Sequence, residues 1–216
     1  MTALQIIPQL EPDVEAIYTE AFPPNQREPF DHILDDVAAG RRHGWVARVG
    51  EQVLGMAVVR PLKTDRVAVL EYLAVDRCQR GRSIGSALLT AVVAALRHDL
   101  TTDALLLEVE PVDGQCATPS QYEIRQRRAA FYQRHGAHRI SAITVYRMPD
   151  LTGNPAGVPM DLWWLPVSGT PQMPDIAQLQ RILVALHLGY GLPADHPWLA
   201  AVLAQVQHGN DPADYA

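Results

Sequence analysis

The sequence predicts an α/β (or α+β) protein in which a sheet of mixed strand direction carries helices on both faces. Two patterns predict this. Trp45–Val49 and Gln52–Val59 flank the short polar turn Gly50-Glu51 and read as an antiparallel hairpin. Further on, Val67–Val75 is rich in β-branched and aromatic residues and free of Pro and Gly. It is followed by a turn, a helix and the strand Ala104–Glu110, stopped at Pro111. The helix is read from Ile84, Ala87, Leu88, Ala91, Val92, Ala95 and Leu96, which recur at i, i+3, i+4, i+7. A helical crossover between two strands requires them to be parallel, whereas hairpin strands are antiparallel, so strand directions are mixed.

The remaining elements follow in chain order. Ala3–Ile7 alternates and predicts a first strand; Glu11–Phe22 carries Val14, Ile17, Tyr18 and Ala21 at helical spacing and stops at Pro23-Pro24. The segment Pro23–Pro29 is a loop, and a second helix over Phe30–Ala39 closes at Gly40. After Ala104–Glu110, the stretch Pro111–Pro119, with Asp113-Gly114, is a loop, and Ser120–His135 is a basic helix ending at Gly136. Ala137–Ile140 and Ala142–Met148 predict two closing strands. Beyond Met148 the composition turns Pro- and Gly-rich. Met160–Leu165 suits one further strand, and Asp175–Leu188 and Pro197–Val206 suit two amphipathic helices. Their apolar stripes must be covered by the main domain, by a second subunit as in a homodimer, or by the acceptor pocket; packing on the domain is the leading reading.

Composition narrows the function classes. The chain has 216 residues, 48% of them apolar and 19% charged, with a net charge of −6. Its one dense basic run, Arg125-Gln-Arg-Arg128, is too short to make nucleic acid the main partner. The acidic balance suits a cationic amine. Cys78 and Cys116 are too few and too isolated for a disulfide framework or a zinc site, and are read as free thiols in a reducing cytoplasm. The start lacks the basic and apolar regions of a signal peptide, and no apolar run approaches membrane-spanning length. A cytoplasmic protein with no metal and no membrane partner is expected.

The turn Asp76–Gly85 places three arginines, Arg77, Arg80 and Arg82, within six residues of an acidic protein. The first amides of a helix have no intrahelical partner, and the dipole adds partial positive charge, so such a turn makes an anion site suited to phosphate. Gly81 and Gly85 leave room for close approach. An ordinary strand-to-helix connection with solvated arginines is the other reading. Neither a P-loop nor the dinucleotide fingerprint matches.

Arg80-Gly-Arg-Ser-Ile-Gly85 after Tyr72-Leu-Ala-Val75 resembles the pyrophosphate loop of the GCN5-related N-acetyltransferases (GNATs), usually Gln/Arg-x-x-Gly-x-Gly/Ala. Ala129-Ala-Phe-Tyr-Gln-Arg-His-Gly136 resembles the family's second hallmark, a helix ending in Phe-Tyr-x-x-x-Gly. The resemblance covers roughly Leu4 to Met148. It implies a GNAT domain over 1–148, with a mostly antiparallel central sheet, and a C-terminal extension over 149–216. It further implies an acetyl-CoA-dependent N-acetyltransferase that acts on a primary amine of a small molecule or peptide by direct attack in a ternary complex. The rival readings are an acyltransferase for longer acyl groups and a non-catalytic acyl-CoA-binding module.

Carried onto this sequence, the cofactor positions are Leu73, Ala74 and Val75, whose main chain would meet the pantetheine arm, and Arg80, Gly81, Arg82, Ser83, Ile84, Gly85 and Ser86. Ser83 replaces the first motif glycine and is expected at negative φ, as an N-cap whose hydroxyl captures an amide. The resemblance makes Tyr132 the donor to the coenzyme sulfur; a core aromatic beside Phe131 is the alternative. Amine attack also needs a base, since an alkylammonium has a pKa of about 10. Carboxylates in apolar strands are costly unless paired or functional. Glu71 is favoured, with Glu110 next, while Glu108 and Glu110 share one strand face. Ion pairing with the arginines of the basic helix is the competing role for each glutamate. The two early helices and the loop Pro23–Pro29 would border the acceptor site, with the loop as either a lid or a plain surface connection.

Overall fold

A computed structural model describes residues 3–98, 102–112, 118–167 and 173–208; Asp113, Gly114 and Cys116 lie outside the described residues. A seven-stranded sheet has the order β1-β2-β3-β4-β5-β9-β6. Its strands are β1 Gln5–Ile7, β2 His43–Val49, β3 Gln52–Pro61, β4 Val67–Val75, β5 Ala104–Val109, β6 His138–Arg139 and β9 Asp161–Pro166. A separate two-stranded ladder joins β7 Arg147–Met148 to β8 Val158–Pro159. The pairing of β4 with β5 is parallel, as their helical crossover requires, and the other pairings of the large sheet are antiparallel.

The helices form layers on both faces. α3 (Ile84–His98) and α4 (Pro119–Arg134) cover one face. There Leu88, Leu89, Val92 and Leu96 meet Ala57, Val59, Leu70, Leu105 and Leu107. The opposite face has two tenants. α1 (Glu15–Ala21) and α2 (Phe30–Ala38) bury Ile17, Tyr18, Phe30 and Ile33 on Val46, Met56, Val58 and Tyr72. Beside them, α5 (Ile176–Gly189) and α6 (Pro197–His208) bury Leu179, Ile182, Leu183, Leu186, Leu199 and Val202 on Val67, Val69, Leu106, Leu162 and Trp164. The stripes of both C-terminal helices are thus covered within the chain. No helix among the described residues is long and apolar enough to cross a membrane.

Two features depart from the sequence expectation. Of the segment Ala142–Met148 only Arg147–Met148 is strand, and it pairs with β8 rather than joining the large sheet. Ile143 N–H turns back to the Ile140 carbonyl, and the amides of Thr144 and Val145 donate to Gln205 Oε1 of α6 at 2.9 and 3.3 Å, so this backbone is satisfied by a side chain rather than a ladder. The strand that completes the sheet is β9, from beyond Met148. It pairs with β5 from Ala104↔Pro166 to Val109↔Asp161 and with β6 on its other edge, which places it inside the sheet. The helix expected from Glu11 begins as a 3₁₀ turn over Pro12–Val14 before α1.

Candidate active site

The site grows out of an interrupted parallel pairing. β4 and β5 are in register from Val67↔Ala104 to Leu70↔Leu107 and no further, although β4 runs on to Val75 and β5 to Val109. Beyond that point the strands part, and the first residue past it on each is a glutamate, Glu71 and Glu108. Glu71 is also the extra residue of a β-bulge, because Val58 faces Tyr72 while Val59 faces Leu70. A bulge re-aims the side chain at the point where pairing ends. It allows a carboxylate in an apolar strand to point into the seam between α1/α2 and α5/α6.

Glu71 is consumed by arginines. Arg60 Nε donates to its Oε1 at 2.5 Å, and Arg42 Nε lies 2.7 Å from its Oε2, close enough to pair but not aligned as a hydrogen bond. Arg42, 5% exposed, also reaches Glu28 Oε1 at 2.5 Å and Asp36 Oδ2 at 2.9 Å. The ion-pairing role weighed for Glu71 is therefore met, though by Arg42 and Arg60 rather than by the basic helix. Glu110 is met as expected from that helix, by Arg128 Nη1 at 2.5 Å and Arg125 Nη2 at 3.4 Å. Gln26 of the loop Pro23–Pro29 also donates to Glu110, at 3.4 Å. That loop is tied to the β7–β8 segment, since Leu151 N–H donates to the Asn25 carbonyl at 2.9 Å.

Glu108 is different. No arginine is paired with it among the described residues; instead Tyr146 Oη donates to its Oε1 and Tyr190 Oη to its Oε2, each at 2.5 Å. Burial pushes its carboxyl above the usual range. The two phenol hydrogen bonds and nearby Arg60 offset part of that rise, and the charge of Glu71 adds to it. Both tyrosines are pushed well above their ordinary value by burial and the facing carboxylate, so they stay protonated and donate. A carboxylate offers about four lone-pair sites, and the tyrosines occupy two, leaving acceptor capacity for a proton. Sequence reasoning placed Glu108 on a strand face without singling it out, because its partners stand 38 and 82 residues away. The signal available was Tyr190 itself, an aromatic between Gly189 and Gly191 at the end of an apolar helix.

On the other face, Tyr132 is 9% exposed, with its ring edge-on to Phe131 at 5.2 Å. Its hydroxyl has no protein partner among the described residues. Burial raises its pKa, and Arg128, one helical turn away, partly offsets the rise.

Below the parting strands lies the arginine-bearing turn. The first intrahelical bond of α3 runs from Ala87 N–H to the Ser83 carbonyl at 2.9 Å, so Ser83 holds the N-cap position. The amides of Ser83, Ile84, Gly85 and Ser86 have no protein acceptor among the described residues. Ser83 has φ +61°, in the left-handed region, which corrects the expectation of negative φ. Gly81 at φ +83° and Ser83 both take the left-handed conformation, the backbone state from which anion-binding nests are built. A Cβ at Gly81 would meet nothing within 4 Å, so its glycine serves backbone conformation rather than packing. Arg80 is occupied, donating to the Val75 carbonyl at 3.2 Å and pairing with Glu20 at 2.9 Å. Arg77 and Arg82 are exposed. Leu73, Ala74 and Val75 pair with β3 on one edge and have no β5 partner on the other.

This architecture is shared with solved structures. A GNAT-family protein from Bacteroides thetaiotaomicron superimposes with TM-score 0.66 at 21% identity, over 88% of this chain and 99% of its own. The ribosomal-protein-S18-alanine N-acetyltransferase from Escherichia coli does so at 0.53 and 18%, over 79% and 97%. Spermidine N-acetyltransferase from Vibrio cholerae, in complex with CoA and spermine, does so at 0.54 and 12%, over 76% and 96%. The chain therefore has the fold of the GNAT acetyltransferases. No curated protein matches its sequence. Residues 11–115 match the model of the acetyltransferase (GNAT) family, so this part of the chain is a GNAT acetyltransferase domain. The match spans α1 to β5, and Tyr132, Tyr146 and Tyr190 lie beyond it.

Proposed function

We propose that the protein transfers an acetyl group from acetyl-CoA to a primary amine of a small molecule or peptide, in a ternary complex without an acyl-enzyme. The observation that carries this reading is Glu108, a carboxylate without an arginine partner at the mouth of the parted β4–β5 pair, with its proton affinity raised by burial. A general base works best when its pKa approaches the operating pH. Glu71, held between two guanidinium groups, would lose both pairings on accepting a proton, and Glu110 would likewise give up Arg125 and Arg128.

The residues present fit the coenzyme. The unclaimed amides of Ser83 to Ser86, with the open turn at Gly81 and the side chain of Arg82, suit its pyrophosphate, and Arg80 braces the turn. The free edge of Leu73, Ala74 and Val75 suits the amide-bearing pantetheine arm as an added strand. Bound there, acetyl-CoA would supply a thioester as the acyl donor. Glu108 would take the proton that the ammonium must lose before attack, directly or through one water. Tyr132 would donate its phenol proton to the leaving sulfur, and the second proton that the nitrogen sheds on acylation would restore the phenol directly or through solvent, leaving one net proton to pass from Glu108 to solvent.

Coenzyme A release with a panel of alkylamines, polyamines and peptide N-termini tests the reading, with coenzyme A binding followed separately by calorimetry. Glu108→Gln is expected to lower turnover by about 10²–10⁴-fold at unchanged coenzyme affinity. Turnover by that variant at the wild-type rate would overturn the assignment.

A further inference from the structure

The end of α5 reaches the candidate site through three contacts. Tyr190 Oη donates to Glu108 Oε2 at 2.5 Å. The Arg60 guanidinium carbon stands 5.7 Å from the centre of the Tyr190 ring, a cation–π distance, while Arg60 Nε is bound to Glu71. Gly189 lies against that guanidinium so closely that a Cβ there would collide with it. The helix end is itself fixed. Leu179, Ile182, Leu183 and Leu186 are buried on the sheet, and Tyr190 N–H closes the last turn on the His187 carbonyl at 3.1 Å. A continuous line of contacts runs Glu71–Arg60–Tyr190–Glu108, joining the two glutamates that flank the parting strands.

We infer that Tyr190 is a positioning residue: the C-terminal helix pair, outside the family-matched region, holds the Glu108 carboxylate in orientation and keeps it ionised. This rests on the reading of Glu108 as the proton acceptor. The physical argument is local. A buried carboxylate is driven toward its neutral form, and hydrogen bonds donated to its oxygens oppose that drive. Four groups face Glu108. Tyr146 and Tyr190 donate to it, Arg60 from β3 favours the charged form, and Glu71 from β4 disfavours it. Its register partner on β9 is the apolar Leu162, and the adjacent Asp161, opposite Val109, is paired with Arg139 at 2.7 Å. Tyr190 both donates its own hydrogen bond and holds Arg60 near, so losing the hydroxyl removes support for the charged form.

The test is the carboxyl titration of Glu108 in the full-length protein, read by ¹³C NMR of labelled glutamate and assigned by the signal lost in Glu108→Gln. In Tyr190→Phe the titration midpoint is expected to rise by about one to two pH units, the worth of a hydrogen bond to a charged group. The acid limb of kcat/KM moves up with it, while coenzyme A affinity stays unchanged. Leu188→Ala, an exposed change two residues before Tyr190, leaves the midpoint in place. Should Tyr190→Phe not fold, Gly189→Ala, which displaces the Arg60 guanidinium, moves the midpoint the same way. A folded Tyr190→Phe with an unshifted midpoint overturns the inference. A shifted midpoint together with wild-type turnover by Glu108→Gln leaves Tyr190 tuning the carboxylate but removes the catalytic reading beneath it.

Discussion

At the scale of single residues, Ser83 and Glu108 are where sequence and geometry diverge most. A non-glycine residue in the left-handed region costs about 1–2 kcal/mol, and Ser83 bears that cost at the start of α3, beside its unclaimed amides. Replacing it by Gly removes that strain, against a smaller loss from the freer unfolded chain. Ser83→Gly is thus expected to stabilise the protein by about 0.5–1 kcal/mol in urea denaturation and to leave coenzyme binding intact or tighter. A destabilised variant would contradict the strain argument. The anion turn was legible because glycines, arginines and a helix start fall together in sequence, but its φ angles were not, since a serine at an N-cap ordinarily has extended backbone. Glu108 was illegible for another reason. An acid in a strand reads the same whether it meets arginine or tyrosine, and only the fold brings Tyr146 and Tyr190 to it.

Elements were read better than contacts. The hairpin β2–β3, the crossover β4–α3–β5 and the helices α2, α4, α5 and α6 follow from periodicity and stop signals, which act within a few residues. The short strands after α4 were not legible, because what decides them is remote: Gln205 of α6 takes the amides of Thr144 and Val145, and β9 arrives to pair with β5. The bulge at Glu71 is an element-scale device of the same kind. It turns a carboxylate into the seam, where Arg42 and Arg60 secure α2 and β3 to β4. Glu71→Gln leaves two largely buried guanidinium groups short of a charge, and a loss of about 3 kcal/mol in unfolding free energy is expected from denaturant curves. A loss below about 1 kcal/mol would show that Glu28 and Asp36 suffice for Arg42 and that Arg60 relaxes to solvent.

For the molecule as a whole, the two helical pairs share one sheet face and divide its labour. α1 and α2 cover the strands of the first half, and α5 and α6 cover β5 and β9, the strands that complete the sheet. A chain ending at residue 173 loses α5 and α6 and bares the apolar side chains of Val67, Val69, Leu106, Leu162 and Trp164. Such a chain is expected to elute as aggregate or to pellet, and a soluble monomer on size exclusion would contradict the assigned role of the extension. The insertion of β9 between β5 and β6 has a further consequence during synthesis. Until the ribosome has passed residue 166, β5 is a bare, strongly apolar edge with free backbone groups, a template for any strand of a neighbouring nascent chain. Slow elongation through residues 110–166 would lengthen that unprotected interval, so the yield of native enzyme should depend on translation speed across precisely that stretch of the message.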